Sequence, residues 1–236
     1  MMQVLKNKSQ IKASRQKLLQ MGGGRLEGVL TKVLRRLGVH KKLSVGDMAK
    51  SWDVALTLEF IEAQFPKDAR ILDLGAYCSE VPVLLANMGF TGVHGVDLNP
   101  NVKAMPHADR VQYSVSDFMS TPFPQAIFDA VTAISVIEHG YEPERLFTEL
   151  GRLLRPGGYF IASFDYWPDK INTGNTRFFD MTWLIFSEQD VGAMLEVAKR
   201  HGLSPAGDLH PQSAERAIHC MGYDYTFGWL VLRKDA

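Results

Sequence analysis

A chain of 236 residues with 46% hydrophobic and 22% charged residues has the composition of a soluble globular protein and the length of one α/β domain with a short extension, not of two full domains. No apolar run approaches the ~20 residues that cross a bilayer, the start shows no secretory signal, and Cys78 and Cys220 alone offer neither a disulfide framework nor a zinc site; a reducing cytoplasm fits. The 26 basic and 26 acidic residues cancel, yet through Lys50 nearly every charged residue is basic, opposed only by Glu27 and Asp47.

Residues 1–50 read as a basic helical extension or cap. Scattered charge and the run Gly22-Gly23-Gly24 predict a frayed or helical arm ending in a flexible joint. From Leu26, the residues Val29, Leu30, Val33, Leu34 and Leu37 recur at helical spacing, with Lys32, Arg35 and Arg36 around the other side. This amphipathic basic helix suits a cap packed on the main domain with its charges in water, or a surface for RNA or an anionic membrane.

Ser51 is the expected N-cap of a helix through Trp52, Leu56, Phe60, Ile61 and Phe65, stopped by Pro66. Ile71, Leu72 and Leu74 form an apolar run broken only by Asp73, as in a buried central strand, which ends at Gly75. Val81, Val83, Leu84, Leu85 and Met88 then recur at helical spacing, and a second strand, Val93 to Val96, stops at Asp97. A right-handed parallel unit places the first turn beside the end of the second strand, at the carboxyl edge of the sheet where such folds bind ligands. Asp97 is thereby positioned to hold a ribose diol.

A third strand, Val111 to Val115, ends at Ser116-Asp117-Phe118. A fourth starts at Phe128 and emerges into the polar tip Ser135-Val136-Ile137-Glu138-His139. A helix with Leu146, Phe147, Leu150, Leu153 and Leu154 on one side runs into Arg155-Pro156-Gly157-Gly158 and a fifth strand, Tyr159 to Phe164. The pattern is α/β, a doubly wound, mostly parallel sheet with helices on both faces. An aromatic insertion follows at 165–186, rich in Tyr166, Trp167, Phe178, Phe179 and Trp183, and is read as substrate cover or as a small satellite core under a loop. Ser187 caps a last helix, and two strands near Pro205 to His210 and Tyr225 to Leu232 close the chain.

A carboxylate at the second strand end serves both nicotinamide dehydrogenases and enzymes that use S-adenosylmethionine. The dehydrogenase turn needs G-x-G-x-x-G, whereas Gly75-Ala76-Tyr77-Cys78-Ser79-Glu80 lacks two of those glycines and sets Glu80 near the phosphates. Asp73-x-Gly75, the acids Asp97 and Asp117, the segment F-D-A-V to V-I-E-H over 128–139, and the turn L-R-P-G-G over 154–158 together resemble the class I S-adenosylmethionine-dependent methyltransferases, in particular their small-molecule and quinone-type branch. The likeness spans Ile71 to Phe164; Tyr77 and Ser79 stand where that family prefers glycine.

The resemblance implies a Rossmann-like seven-stranded sheet whose last strand is antiparallel, over a methyltransferase-type catalytic domain at 51–236. It implies S-adenosyl-L-methionine as cofactor, held by Asp73, Gly75, Tyr77, Asp97, Leu98, Asp117, Phe118 and Ser135, with Asp117 accepting from the adenine amine. Glu138 and His139 face the transfer site. An alcohol acceptor needs a base at neutral pH, and His139, tuned by Glu138, is the candidate. Tyr166, Trp167 and Phe178 are the candidate acceptor contacts. The short D-Y-W-P element looks like methyltransferases acting on glycans, so the expected acceptor is a small molecule, a hydroxyl of a sugar or related metabolite. Carbon methylation, RNA methylation through the basic end, and a non-catalytic binding protein whose Tyr77 and Ser79 block the cofactor are the alternatives. The remaining histidines show no ligand spacing, and no metal is expected.

Overall fold

The structure, a computed structural model, describes residues 1–23, 45–178 and 180–236; the amphipathic helix expected from Leu26 and the aromatic Phe179 lie outside these described residues. The elements run β1 (Met2–Val4), α1 (Lys8–Gln20), α2 (Ser51–Gln64), β2 (Arg70–Leu74), α3 (Val81–Asn87), β3 (Gly92–Asp97), β4 (Gln112–Val115), β5 (Phe128–Ile134), α4 (Pro143–Leu153), β6 (Leu154–Tyr166), β7 (Arg177–Phe178), β8 (Met181–Thr182), α5 (Glu188–Arg200), β9 (Leu203–Pro205), β10 (Ile218–Cys220) and β11 (Tyr223–Lys234), with a 3-10 turn at Pro100–Ala104.

The main sheet has the order β1-β11-β6-β5-β2-β3-β4, with β9 and β10 also on β11. From β4 to β6 every neighbouring pair is parallel, and β11 runs antiparallel to β6. This is a Rossmann-like α/β sheet with an antiparallel final strand. Central β5 is buried at every residue because both of its faces are covered. Ile71, Val93, Ala130 and Ile161 point to one side, against Ile11 and Leu18 of α1, Leu58 and Ile61 of α2 and Leu84 of α3. Leu72, Val131, Phe160 and Ala162 point to the other, against Leu146, Phe147 and Leu150 of α4 and Val191 and Met194 of α5. Each such buried aliphatic or aromatic side chain contributes about 1.5–3 kcal/mol.

Three local departures from the sequence expectation have simple causes. The arm is helical over Lys8–Gln20, one of the two forms expected, but the residues before the helix form a strand. Met2, Val4 and Leu5 are buried, and Met2 and Val4 register with Leu230 and Gly228 of β11. Ser51 does not cap α2 from outside but is its first helical residue; its hydroxyl donates to the Met48 carbonyl at 2.7 Å and accepts from Arg15 Nε at 2.9 Å. The aromatic insertion is not open loop, for β7 and β8 form a hairpin in it, and isolated bridges join His139 to Trp183 and Tyr166 to Phe186.

Ser187 does cap α5, in a reciprocal box with Asp190. Ser187→Ala is expected to lower stability by about 1 kcal/mol, read as a shifted urea midpoint with an unchanged slope.

Candidate functional site

Strands β2, β3, β4 and β5 all end on the same edge. After β2 the chain turns through Gly75 at φ +71°, a conformation that disfavours residues with a Cβ, and a Cβ there would lie 2.5 Å from Val136 Cγ2. The turn is stitched to the end of β3. Ala76 N–H donates to the Val96 carbonyl at 3.0 Å, and Tyr77 N–H donates to Asp97 Oδ2 at 3.0 Å. Asp97 Oδ1 accepts from Asn99 N–H at 2.8 Å, so the carboxylate is fixed and only partly buried. Beside it Leu98 is 57% exposed, an apolar side chain available to a ring. The Tyr77 side chain packs with Ala76, Val102 and Met105.

Asp73 lies beneath this rim, not on it. It is 1% exposed and its Oδ1 accepts from Thr132 Oγ1 at 2.6 Å. Burial pushes its carboxyl up to about 7, against the Thr132 bond, with the nearby Asp97 charge adding to the rise. Asp117, at the end of β4, remains at the surface, where Oδ1 accepts from Met119 N–H and Oδ2 pairs with Arg145 at 2.9 Å. That exposed ion pair is worth under about 1 kcal/mol, a weak hold on the carboxylate. Phe118 packs against the core on the α4 side.

The tip after β5 carries the other candidates. Ser135, at φ +50°, donates its N–H to both the carbonyl and Oγ of Ser163 at 3.0 Å. Ser163 Oγ in turn donates to Asp53 Oδ2 of α2 at 2.6 Å. Glu138 is buried and its Oε2 has no hydrogen-bond partner among the described residues, while its carbonyl accepts from Leu184 N–H at 3.0 Å. The His139 ring stands 5.4 Å from that of Phe178.

Burial sets the charges here. It drives Glu138 well above the usual carboxyl range, with the neighbouring Asp165 reinforcing it. Burial also raises Asp165, against a 2.7 Å bond from Trp183 Nε1, and lifts Asp53 to about 6. It depresses His139 to about 4. The positive charge of Lys50 opposes the rise of these acids and adds to the fall of His139. At neutral pH His139 is an uncharged imidazole, and burial favours the protonated form of Glu138, which can donate as well as accept a hydrogen bond.

Of the three expected acceptor contacts, only Phe178 stands beside His139. Tyr166 is fully buried in the α4 and α5 side of the core, and the ring of Trp167 lies under the Arg216 guanidinium at 4.4 Å. The residue before Tyr166, Asp165, faces Glu138 and Trp183. Strand alternation is the cause, and it is the signal that would have picked Asp165 with Ser163. Lys50 and Asp53 carried no motif. Among the described residues no group of His, Cys, Asp or Glu is arranged to hold a metal ion, and no helix is long and apolar enough to cross a membrane.

Comparison with known proteins adds family evidence. Residues 72–162 match the model of a methyltransferase domain. The chain is 34% identical over 101 residues to a sterol 24-C-methyltransferase of Gibberella zeae, covering 39% of this chain and 26% of that protein. It is 27% identical over 148 residues to the ubiquinone/menaquinone biosynthesis C-methyltransferase of Methylobacterium nodulans, covering 59% and 58%. The chain thus spans about a quarter of the sterol enzyme and somewhat over half of the quinone enzyme. Among solved structures, the 1,6-didemethyltoxoflavin-N1-methyltransferase of Burkholderia thailandensis aligns with a TM-score of 0.59 at 16% identity, covering 98% of this chain and 92% of that one.

Proposed function

We propose that this chain, a class I S-adenosylmethionine-dependent methyltransferase by its fold and by the match of residues 72–162, transfers a methyl group from S-adenosyl-L-methionine to a small-molecule acceptor. The observation that carries the reading is the Gly75 turn stitched to Asp97 at the carboxyl edge, a cradle with a fixed carboxylate for a ribose diol. On this reading Leu98 and Phe118 meet the adenine ring, with Asp117 as acceptor for the exocyclic amine once its surface pair with Arg145 yields. Gly75, Tyr77 and Ser135 border the methionine portion, and buried Asp73 supports the turn from below. When bound, the cofactor supplies a methyl group already activated by a positively charged sulfur.

The chain's own residues then have little chemistry left beyond position, desolvation and one proton. His139, uncharged at neutral pH, accepts the proton of a hydroxyl acceptor. Glu138, whose carboxyl burial favours in its protonated form, orients the acceptor oxygen, and Phe178 and Trp183 exclude water. A hydroxyl-bearing metabolite, a sugar among them, is the finer reading this pair supports. The likeness to sterol and quinone C-methyltransferases favours a carbon acceptor as the second reading.

The donor is tested by calorimetry with S-adenosylhomocysteine, where no heat at millimolar ligand removes the reading. The base is tested by His139→Gln. Turnover is expected to fall about a hundredfold with S-adenosylhomocysteine affinity unchanged, and turnover equal to that of the unaltered chain would leave His139 without the role.

A further inference from the structure

We infer that Arg15 is a positioning residue for the donor site, acting from α1 through a buried fork. The inference rests on the donor reading above. Arg15 is 6% exposed, and an arginine is almost never so buried unless every donor is used. Its Nη1 and Nη2 donate to Glu80 Oε1 and Oε2 at 2.8 and 2.6 Å. Nη2 also reaches the Asp47 carbonyl at 3.1 Å, and Nε donates to Ser51 Oγ at 2.9 Å. One planar group therefore joins three pieces of chain: α1, the segment leading into α2, and Glu80.

Glu80 is the residue on which the argument turns. It ends the turn that starts at Gly75 and is the N-cap of α3, so its placement fixes the far side of the cradle whose near side is the Tyr77 to Asp97 bond. Held by Arg15, its carboxylate is buried and neutralised; released, it would add negative charge at the turn and leave the turn's far end unfixed. The second arm of the fork fixes the lead-in to α2. Gly46 N–H donates to the Cys78 carbonyl at 3.0 Å, at φ +90° and so close to Glu80 that a Cβ would strike its carboxyl group. This lead-in bears Lys50, whose charge bears on Asp53, Asp73, Glu138, His139 and Asp165. A lysine in place of Arg15 keeps a charge for Glu80 but loses the planar fork that holds Asp47 and Ser51.

The test measures the dissociation constant of S-adenosylhomocysteine by calorimetry on the full chain, well below its melting temperature. Arg15→Lys, which keeps the buried charge paired, and Arg15→Met with Glu80→Leu, which replaces the pair by apolar groups and leaves no buried charge alone, are compared with the unaltered protein. Both variants are expected to bind about tenfold more weakly while circular dichroism shows the native content of helix and strand. Affinity equal to that of the unaltered chain in either folded variant overturns the positioning role. Absence of binding by the unaltered chain overturns the donor reading itself, and this inference with it.

Discussion

Asp97→Ala is expected to weaken S-adenosylhomocysteine binding about a thousandfold, the largest loss from any single substitution at the site. Its carboxylate holds the Tyr77 and Asn99 N–H groups and, on the donor reading, the two ribose hydroxyls as well. Hydrogen bonds to a charged partner are worth about 1.5–3 kcal/mol each, and two or more lost together amount to about 4 kcal/mol, or roughly three decades in Kd. Asp97→Asn keeps the shape but supplies one acceptor oxygen in place of two, and an intermediate loss is expected. Calorimetry reads both. An alanine variant that binds within a few-fold of the unaltered chain would move the ribose away from β3 and with it the whole cradle.

The contribution of Asp73 to the stability of the ligand-free protein is expected to fall by about 1 kcal/mol between pH 6.5 and pH 8, against the common pattern of acids that stabilise once ionised. Asp53 and Asp73 are raised from 3.8 to about 6 and about 7, and Glu138 and Asp165 are raised with them. Because their folded values exceed their unfolded ones, the folded chain holds more protons across that interval. Their stabilising contribution is complete below about pH 4 and is lost as pH rises through the folded values. His139, lowered from 6.5 to about 4, and His94, also lowered by burial, act the other way, but only below about 6.5 in the unfolded chain. The Met1 ammonium, which burial lowers from 8.0 to about 6, also acts the other way and does so across this same interval, offsetting part of the loss. Urea midpoints at pH 6.5, 7.2 and 8 measure the slope in the unaltered chain and in Asp73→Asn, and the difference between the two curves should shrink as pH rises. A difference that is constant over this interval would show that Asp73 ionises freely in the folded state.

The unit from Ile71 to Asp97 was legible because period and punctuation agree there: an apolar run, a glycine, a helical repeat and an acid at the next strand end. Phe128 to Phe164 was legible for the same reason. Met2–Val4 was not, since three residues are too few to show alternation and their partner lies more than 200 positions on. The D-Y-W-P stretch drew attention to its rings, yet a strand turns successive side chains to opposite faces. Tyr166 went to the core, and the acid before it went to the site. The state of His139 and Glu138 was also out of reach, because it depends on segments distant in sequence: α2 with Asp53, Trp183 after β8, and β11 with Tyr225.

The pairing of Met2 with Leu230 has a bearing on how the protein is made. β1 is synthesised more than 200 positions before β11, and its place in the sheet does not exist until β11 has left the exit tunnel and laid itself along β6. Until then Met2, Val4 and Leu5 wait without a partner, so the nascent chain carries a sticky segment while the whole intervening sheet is made, the stretch in which a chaperone has most to shield.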